Sequence, residues 1–342
     1  MAVLRSVAFA LTSAAFFFIM LHQRVAPDKP ASATAIGISL HVNYGAISIR
    51  QNDESFRDIG MIEGNYQYQK LMRRLSQRSS EHPSPPYEDG EDQWKDQPRQ
   101  FLRNARKALG FPASTDVAIL AAMVQELINL AGPSSSVIIS YPAIPGLTQE
   151  DIADVETYLG LPVFEGNHGY PPRTLTAAYA GYDMGLCESF TNKKKCTEEE
   201  LELPVRRTLL VEYTGTAFLL HVRSMRDAYD LGMSETYRSS NLDFSDTVPS
   251  KAGRLPWIRN LVIEFVQNTF YLDLDMPKTC TVILIGPADL VKDHVFQLVL
   301  KDGLKTSGLE VELLDLRPEY AASRGAAELA WRSFALAQQT EL

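Results

Sequence analysis

Few of the residues on which common enzyme classes depend occur in this chain in a usable pattern. Its three cysteines and six histidines are scattered over 342 residues, and no set has zinc-ligand spacing, so no metal site of that kind is expected. There is no Gly-x-Ser-x-Gly elbow, no Walker loop and no dinucleotide fingerprint, so enzymes built on those motifs gain no support. Positive charge is also short: 33 Lys and Arg face 42 Asp and Glu, a net charge of -9. That excludes nucleic acid as the main partner, because phosphate backbones are held by clustered cations. The one basic run, Lys193 to Lys195, reads as a solvated loop tip.

Long apolar runs are lacking too. The longest, Val7 to Leu21, is preceded by Arg5 and followed by His22, Gln23 and Arg24. It suits a secretory signal and falls short of the roughly twenty residues that span a bilayer comfortably. Ala31-Ser32-Ala33 offers a small-x-small cleavage pattern, so residues 1–33 are read as a signal sequence or an uncleaved signal anchor. Membrane contact is expected only through that segment. Cys187 and Cys196 bracket the polar stretch "CESFTNKKKC", which a disulfide would close; two unrelated thiols are the alternative. Cys280 opens the apolar run "CTVILIG" and reads as a buried strand residue. Leader and cysteine pair together predict the secretory pathway, with the domain in the endoplasmic reticulum lumen, secreted, or held lumenally by the anchor. No Asn-x-Ser/Thr sequon is present to support this further.

What is there is an α/β pattern, with 45% hydrophobic residues to build a sizeable core. "AIGISLHVNYGAISI" (Ala35 to Ile49) is two β-branched runs about a polar centre, a hairpin by pattern. Residues 79–98, acidic and Pro-rich, are expected to form a mobile loop docked weakly by Trp94. Leu120, Met123, Val124 and Leu127 form a helical stripe, followed by the strand "SSVIISYPA" and a helix opened by Thr148. A second hairpin, "LLVEYTGTAFLLHV", is followed by a helix through Ile258, Leu261, Val262 and Phe265, then the strand "TVILIG". A helical stripe of Val291, Val295, Leu298 and Val299, the strand "EVELL" and an Ala-rich helix from about Glu319 end the pattern. Hairpin, helix, strand, helix thus occurs twice, which predicts two similar lobes at about 35–172 and 173–334. Asp273 and Asp275 alternate as a solvated edge would.

With these pieces in order, the chain resembles the actin-like ATPase fold over roughly Ala35 to Phe334, and in particular the nucleotide-binding domain of the seventy-kilodalton heat-shock chaperones. "SSVIISYPAIPGLTQEDIADVETYLGLPVF" is similar to the family's valine-rich strand, Val-Pro-Ala turn and helix, with Tyr141, Pro142 and Ala143 at the turn. "RTLTAAYAGYDMGLC" resembles the Glu-Pro-Thr-Ala-Ala segment, matching at Thr176, Ala177 and Ala178, with Thr174 and Leu175 at the Glu and Pro positions. "RPEYAASRGAAELAW" matches the closing helix at Pro318, Ala321 and Gly325-Ala326-Ala327, small residues that imply close packing between lobes. The fold so implied is a duplicated mixed β-sheet with flanking helices. Only Arg223 to Thr279 separates the second hairpin from the strand of the adenosine loop, so the outer subdomain is expected to be reduced. No counterpart of the chaperones' peptide-binding domain is expected.

The loops that would hold nucleotide depart furthest from the family. Its first phosphate loop, Asp-Leu-Gly-Thr-Thr, corresponds to Ser39, Leu40, His41, Val42 and Asn43, without the carboxylate that orients metal-bound water. Glu212 stands at the acid of the second loop in one register, with Thr214, Gly215 and Thr216 in its glycine run; a one-residue slide puts Val211 there instead. In the adenosine loop Gly286 is kept, Pro287 replaces a Ser, and Asp289 stands where an Arg would stack on the base. The expected nucleotide-site residues are therefore Ser39, His41, Asn43, Glu212, Thr214, Gly215, Thr216, Gly286 and Asp289. ATP or ADP with Mg is the cofactor that the resemblance implies.

The expectation is a non-hydrolysing actin-like domain, a scaffold or interaction module of the secretory pathway with a protein partner. The alternative is an ATP-binding protein, ATPase or kinase with a rearranged site using Glu212, Asp183 or Asp289. A cleft for another small ligand is the third reading.

Overall fold

Ala35–Leu40 and Tyr44–Arg50 form strands β1 and β2, paired antiparallel about the turn at residues 41–43. Every residue of both strands is buried, as continuous apolar runs require when both faces of a sheet are covered. The structure, a computed structural model, describes residues 34–87, 89–162, 171–228, 237–241, 251–270 and 278–340. The leader with its Ala31-Ser32-Ala33 pattern, and the pair Asp273 and Asp275, lie outside the described residues.

Phe56–Glu63 (β3) pairs antiparallel with β2, and Ser136–Ser140 (β4) pairs parallel with β1, giving the order β3-β2-β1-β4. Three helices lie between β3 and β4: α1 (Tyr66–Leu75), α2 (Gly90–Ala108) and α3 (Thr115–Ala131). Val117, Leu120, Val124 and Leu127 of α3 share one apolar cluster with Ile36, Ile38, Ile47 and Ile139 of the sheet. Helix α4 (Gln149–Leu159) follows, opened by Thr148, whose amide and hydroxyl both donate to Asp151 at 3.1 and 3.0 Å.

The second sheet is built by the same rule. Arg206–Tyr213 (β5), Phe218–Met225 (β6) and Tyr237–Asn241 (β7) run antiparallel, while Thr279–Ile285 (β8) and Glu310–Leu314 (β9) return parallel, in the order β7-β6-β5-β8-β9. Its helices are α5 (Thr174–Gly181), α6 (Lys193–Glu202), α7 (Lys251–Phe270), α8 (Ala288–Val291), α9 (His294–Thr306) and α10 (Ala321–Thr340). The chain is thus α/β with two mixed sheets, and both place the strand after a three-stranded meander parallel to the first.

Helix α10 joins the lobes because small residues let backbones meet. A Cβ on Gly37 of β1 would lie 2.0 Å from the Ser323 carbonyl oxygen, and one on Gly325 only 1.6 Å from that of Ala177 in α5. Nothing larger than glycine fits either crossing. Polar pairs fix the same seam: Arg324 donates twice to Asp58 at 2.7 and 2.8 Å, and Arg50 Nε donates to Glu328 at 2.5 Å.

Several sequence expectations need correction. Residues 90–98, expected within a mobile loop, are the first half of α2, whose N-cap Asp89 accepts from the Asp92 amide. The helix escaped notice because its packing face is ionic, with Arg99 and Arg103 pairing to Glu150, Asp151 and Asp154 of α4. Trp94 does not dock the stretch; it is 72% exposed. In α9 the buried face is Phe296, Leu300 and Leu304, whereas Val295 and Leu298 are exposed, so the apolar spacing marked the period but not the face. Lys193 to Lys195 open α6 rather than tip a loop, because Asn192 caps the Lys195 amide.

Candidate functional site between the two hairpin turns

The first hairpin turns at His41, Val42 and Asn43, the second at residues 214–217, where the Thr214 amide donates to the Ala217 carbonyl at 3.1 Å. The two turns meet. Ala217 and Leu219 of the second hairpin belong to the same apolar cluster as Leu40, Val42 and Tyr68 of the first lobe. Alternation along β5 sends Val211 into the second lobe's core, and Glu212, on the opposite face, reaches the first turn.

Glu212 is fully buried, and its partners come from the other hairpin. The Val42 amide donates to Oε1 at 3.2 Å, and Oε2 lies 3.5 Å from His41 Nδ1. On the far side of the ring, His41 Nε2 is 2.9 Å from Ser39 Oγ, and the His41 face stacks on Tyr44 with centroids 4.3 Å apart. The Tyr68 hydroxyl donates to the His41 carbonyl at 2.7 Å. A buried carboxylate is costly unless an opposing charge or donors compensate it, and here the amide donor to Oε1 comes from across the seam, with the His41 ring beside Oε2. Burial, and then the Glu212 charge, hold the Tyr44 and Tyr68 phenols well above the ordinary range, so both rings stay neutral at physiological pH.

Beside this buried pair, Asn43 Nδ2 donates to Thr214 Oγ1 at 2.8 Å and also to Thr216 Oγ1. Ser39, His41 and Glu212 thus form one set of contacts and Asn43, Thr214 and Thr216 a second beside it, in which the Asn43 amide donates to the threonine hydroxyls. Gly215 contributes its turn geometry, with φ at +81° and its carbonyl accepting from Arg254 at 3.4 Å. Gly286 stands at the end of β8 with φ at +135°, and a Cβ there would sit 2.1 Å from the Tyr213 carbonyl. Asp289 is exposed on the short helix α8 and joins none of these contacts, while the neighbouring Leu290 approaches Gly215. Asp183 lies elsewhere, after α5, where burial and then the charge of Glu328 raise its carboxyl.

Two features were not anticipated. Tyr44, in the first hairpin, and Tyr68, on a helix that the sequence reading did not mark, both line the contacts around His41. A cavity of about 550 Å³ on the first lobe is bordered by His82, Pro85, Tyr87, Tyr141 and Arg173, with the Arg173 guanidinium over the Tyr141 ring at 5.1 Å. The Pro-rich run at 83–86 was its only sequence signal. Cys187 and Cys196 are disulfide-bonded, with Cα atoms 5.2 Å apart, and Cys280 is a buried free thiol. Among the described residues, the metal-like cluster is Cys187, Cys196 and Glu200, whose two sulfurs are committed to that bond.

No protein-family model matches this chain, and no curated protein sequence matches it.

Proposed function

We propose that the chain is a non-hydrolysing, actin-like domain that serves as an interaction scaffold in the secretory pathway. The repeated sheet order, with two hairpin turns facing each other across a seam crossed by a small-residue helix, supports the actin-like reading of the fold. The leader and the Cys187–Cys196 bond support the compartment.

One observation carries the functional reading: the first-turn amide of Val42, which in a phosphate loop would face a phosphate oxygen, donates to the Glu212 carboxylate instead. Glu212 supplies internally the anion that a nucleotide would bring. With Asn43 closed onto Thr214 and Thr216, and His41 filling the turn, the residues do not fit a bound triphosphate. The carboxylate between the turns, Glu212, is fully buried against the Val42 amide and beside His41 instead of being placed to orient metal-bound water.

The test is thermal unfolding of the full chain with and without millimolar Mg-ATP or Mg-ADP, followed by a turnover assay. A ligand at a hundred times its Kd stabilises a protein by about 2.7 kcal/mol, a shift of several degrees, so binding would be plain. We expect no shift and no turnover. Stabilisation with turnover would replace the scaffold reading by an ATPase or kinase with a rearranged site.

A further inference from the structure

The cavity of about 550 Å³ on the first lobe has the size of a small-molecule pocket, roughly 300–1,000 Å³, and lies where such pockets form in α/β proteins, past the carboxyl end of a strand. Tyr141, the first residue beyond β4, lines it, and two backbone bonds lock that residue to the segment before α5. The Tyr141 amide donates to the Pro172 carbonyl at 3.3 Å, and the Thr174 amide donates to the Tyr141 carbonyl at 2.8 Å. Another wall is the Pro-rich run at 83–86. Gln149 donates to the Pro85 carbonyl at 2.9 Å, Arg99 to the Pro83 carbonyl at 3.3 Å, and the Tyr87 hydroxyl to Asp96 at 2.8 Å, so α2 and α4 hold this wall in place.

Arg173 lines the same cavity, and the chain leaves its charge unanswered. The guanidinium lies over the Tyr141 ring at 5.1 Å, which attracts the charge but offers no lone pair to the N–H groups. Nη1 is buried without a hydrogen-bond partner, and among the described residues no carboxylate pairs with this cation. The residue is also the N-cap of α5, where it makes no side-chain cap bond and where the first turn carries no acid. A cation at the positive end of a helix is disfavoured unless an anion joins it.

Glu81 and Asp92 border the cavity as well, and like charge there disfavours a phosphate dianion or a nucleotide. The planar fork of an arginine matches a carboxylate, and the rings of Tyr87 and Tyr141 offer aromatic surface to the rest of such a molecule. We propose that this cavity is a binding site for a small organic monocarboxylate, with Arg173 as its anion-binding residue. The site shares no residue with the two hairpin turns and stands independently of the reading given to them.

Fluorine NMR of the full chain with 4-fluorobenzoate and 4-fluorophenylacetate tests the site. We expect saturable line broadening from at least one of the two, with a Kd of about 1 mM or tighter. The neutral amide of the bound acid should bind at least about tenfold more weakly, and phenyl phosphate should displace the acid less well than benzoate does. Arg173→Gln should weaken binding by about tenfold or more. Ser84→Trp, which fills the cavity from its lining and leaves every charge in place, should do the same, and Lys305→Gln, exposed on α9, should change nothing. Thermal midpoints show that the variants are folded, and if Arg173→Gln is not, Ser84→Trp decides. No binding of either acid at about 10 mM, equal binding of acid and amide, or tighter binding of phenyl phosphate would each overturn the proposal. So would a folded Arg173→Gln or Ser84→Trp protein that binds as the wild type does.

Discussion

The carboxylate of Glu212 accepts a hydrogen bond from the backbone amide of Val42, 170 residues away in sequence, at 3.2 Å. The His41 imidazole lies beside the other carboxylate oxygen at 3.5 Å, so both neighbours of this acid come from the facing hairpin turn.

Replacing Glu212 by Ala therefore leaves the Val42 amide buried without an acceptor and opens a cavity, at a cost of about 2–4 kcal/mol. Glu212→Gln keeps an acceptor for the amide and should lose less than half as much. Urea unfolding of the two variants reads the difference; equal losses would mean that volume, not the hydrogen bond, sets the effect.

The crossing of α10 over α5 predicts a severe effect from a very small change. Gly325→Ala places a methyl group 1.6 Å from the Ala177 carbonyl oxygen, and the backbones must part to admit it. We expect a loss above about 4 kcal/mol, seen as a lost or strongly lowered thermal midpoint. Gly90→Ala, which meets nothing within 4 Å, is the control and should be neutral.

Arg103 bridges Asp151 and Asp154 in a buried site at 2.9 and 2.6 Å. Removing it in Arg103→Ala leaves the buried Asp151 without its cation and Asp154 with Lys107 alone, which costs about 3–5 kcal/mol. The exposed pair of Lys95 and Glu91 should contribute little, so Lys95→Ala should leave stability nearly unchanged. Chemical denaturation compares them, and similar small effects would remove the ionic face of α2 as a stabilising element.

Glu156 gives the fold a pH dependence of definite sign. Burial pushes its carboxyl from 4.5 up to about 8, so the folded chain holds this proton more tightly than the unfolded chain. Its contribution is fully present below pH 4.5 and is lost as pH rises through about 8. At 1.36 kcal/mol per unit, the loss is on the order of a few kcal/mol. Urea unfolding from pH 5 to 9 should show this decline in the wild type and a flatter profile in Glu156→Gln. Identical slopes would exclude the residue as the source.

Much of the architecture was legible along the chain. Residues 35–49 read as a hairpin because β-branched runs flank a polar centre, and β8 read as a buried strand because "TVILIG" is apolar throughout. Helix α3 declared its face through Leu120, Val124 and Leu127. Helix α2 did not, because hydrophobic periodicity locates a core face only when the core face is hydrophobic. Its buried side is Asp96 and Arg103, and its apolar side looks outward.

The site divides in the same way. By itself, the sequence determined that the first turn lacks an acid, that Glu212 precedes the second, and that small residues recur where α10 crosses α5, because these are matters of residue type and spacing. Only the tertiary structure showed which side chain meets the first turn, since the pleat of β5 directs Glu212, not Val211, at the Val42 amide. It likewise decided that Asn43 closes onto Thr214 and Thr216, and that Asp289 takes no part. Such contacts join side chains about 170 positions apart, and whether a polar group faces a ligand or another part of its own chain depends on how two lobes meet.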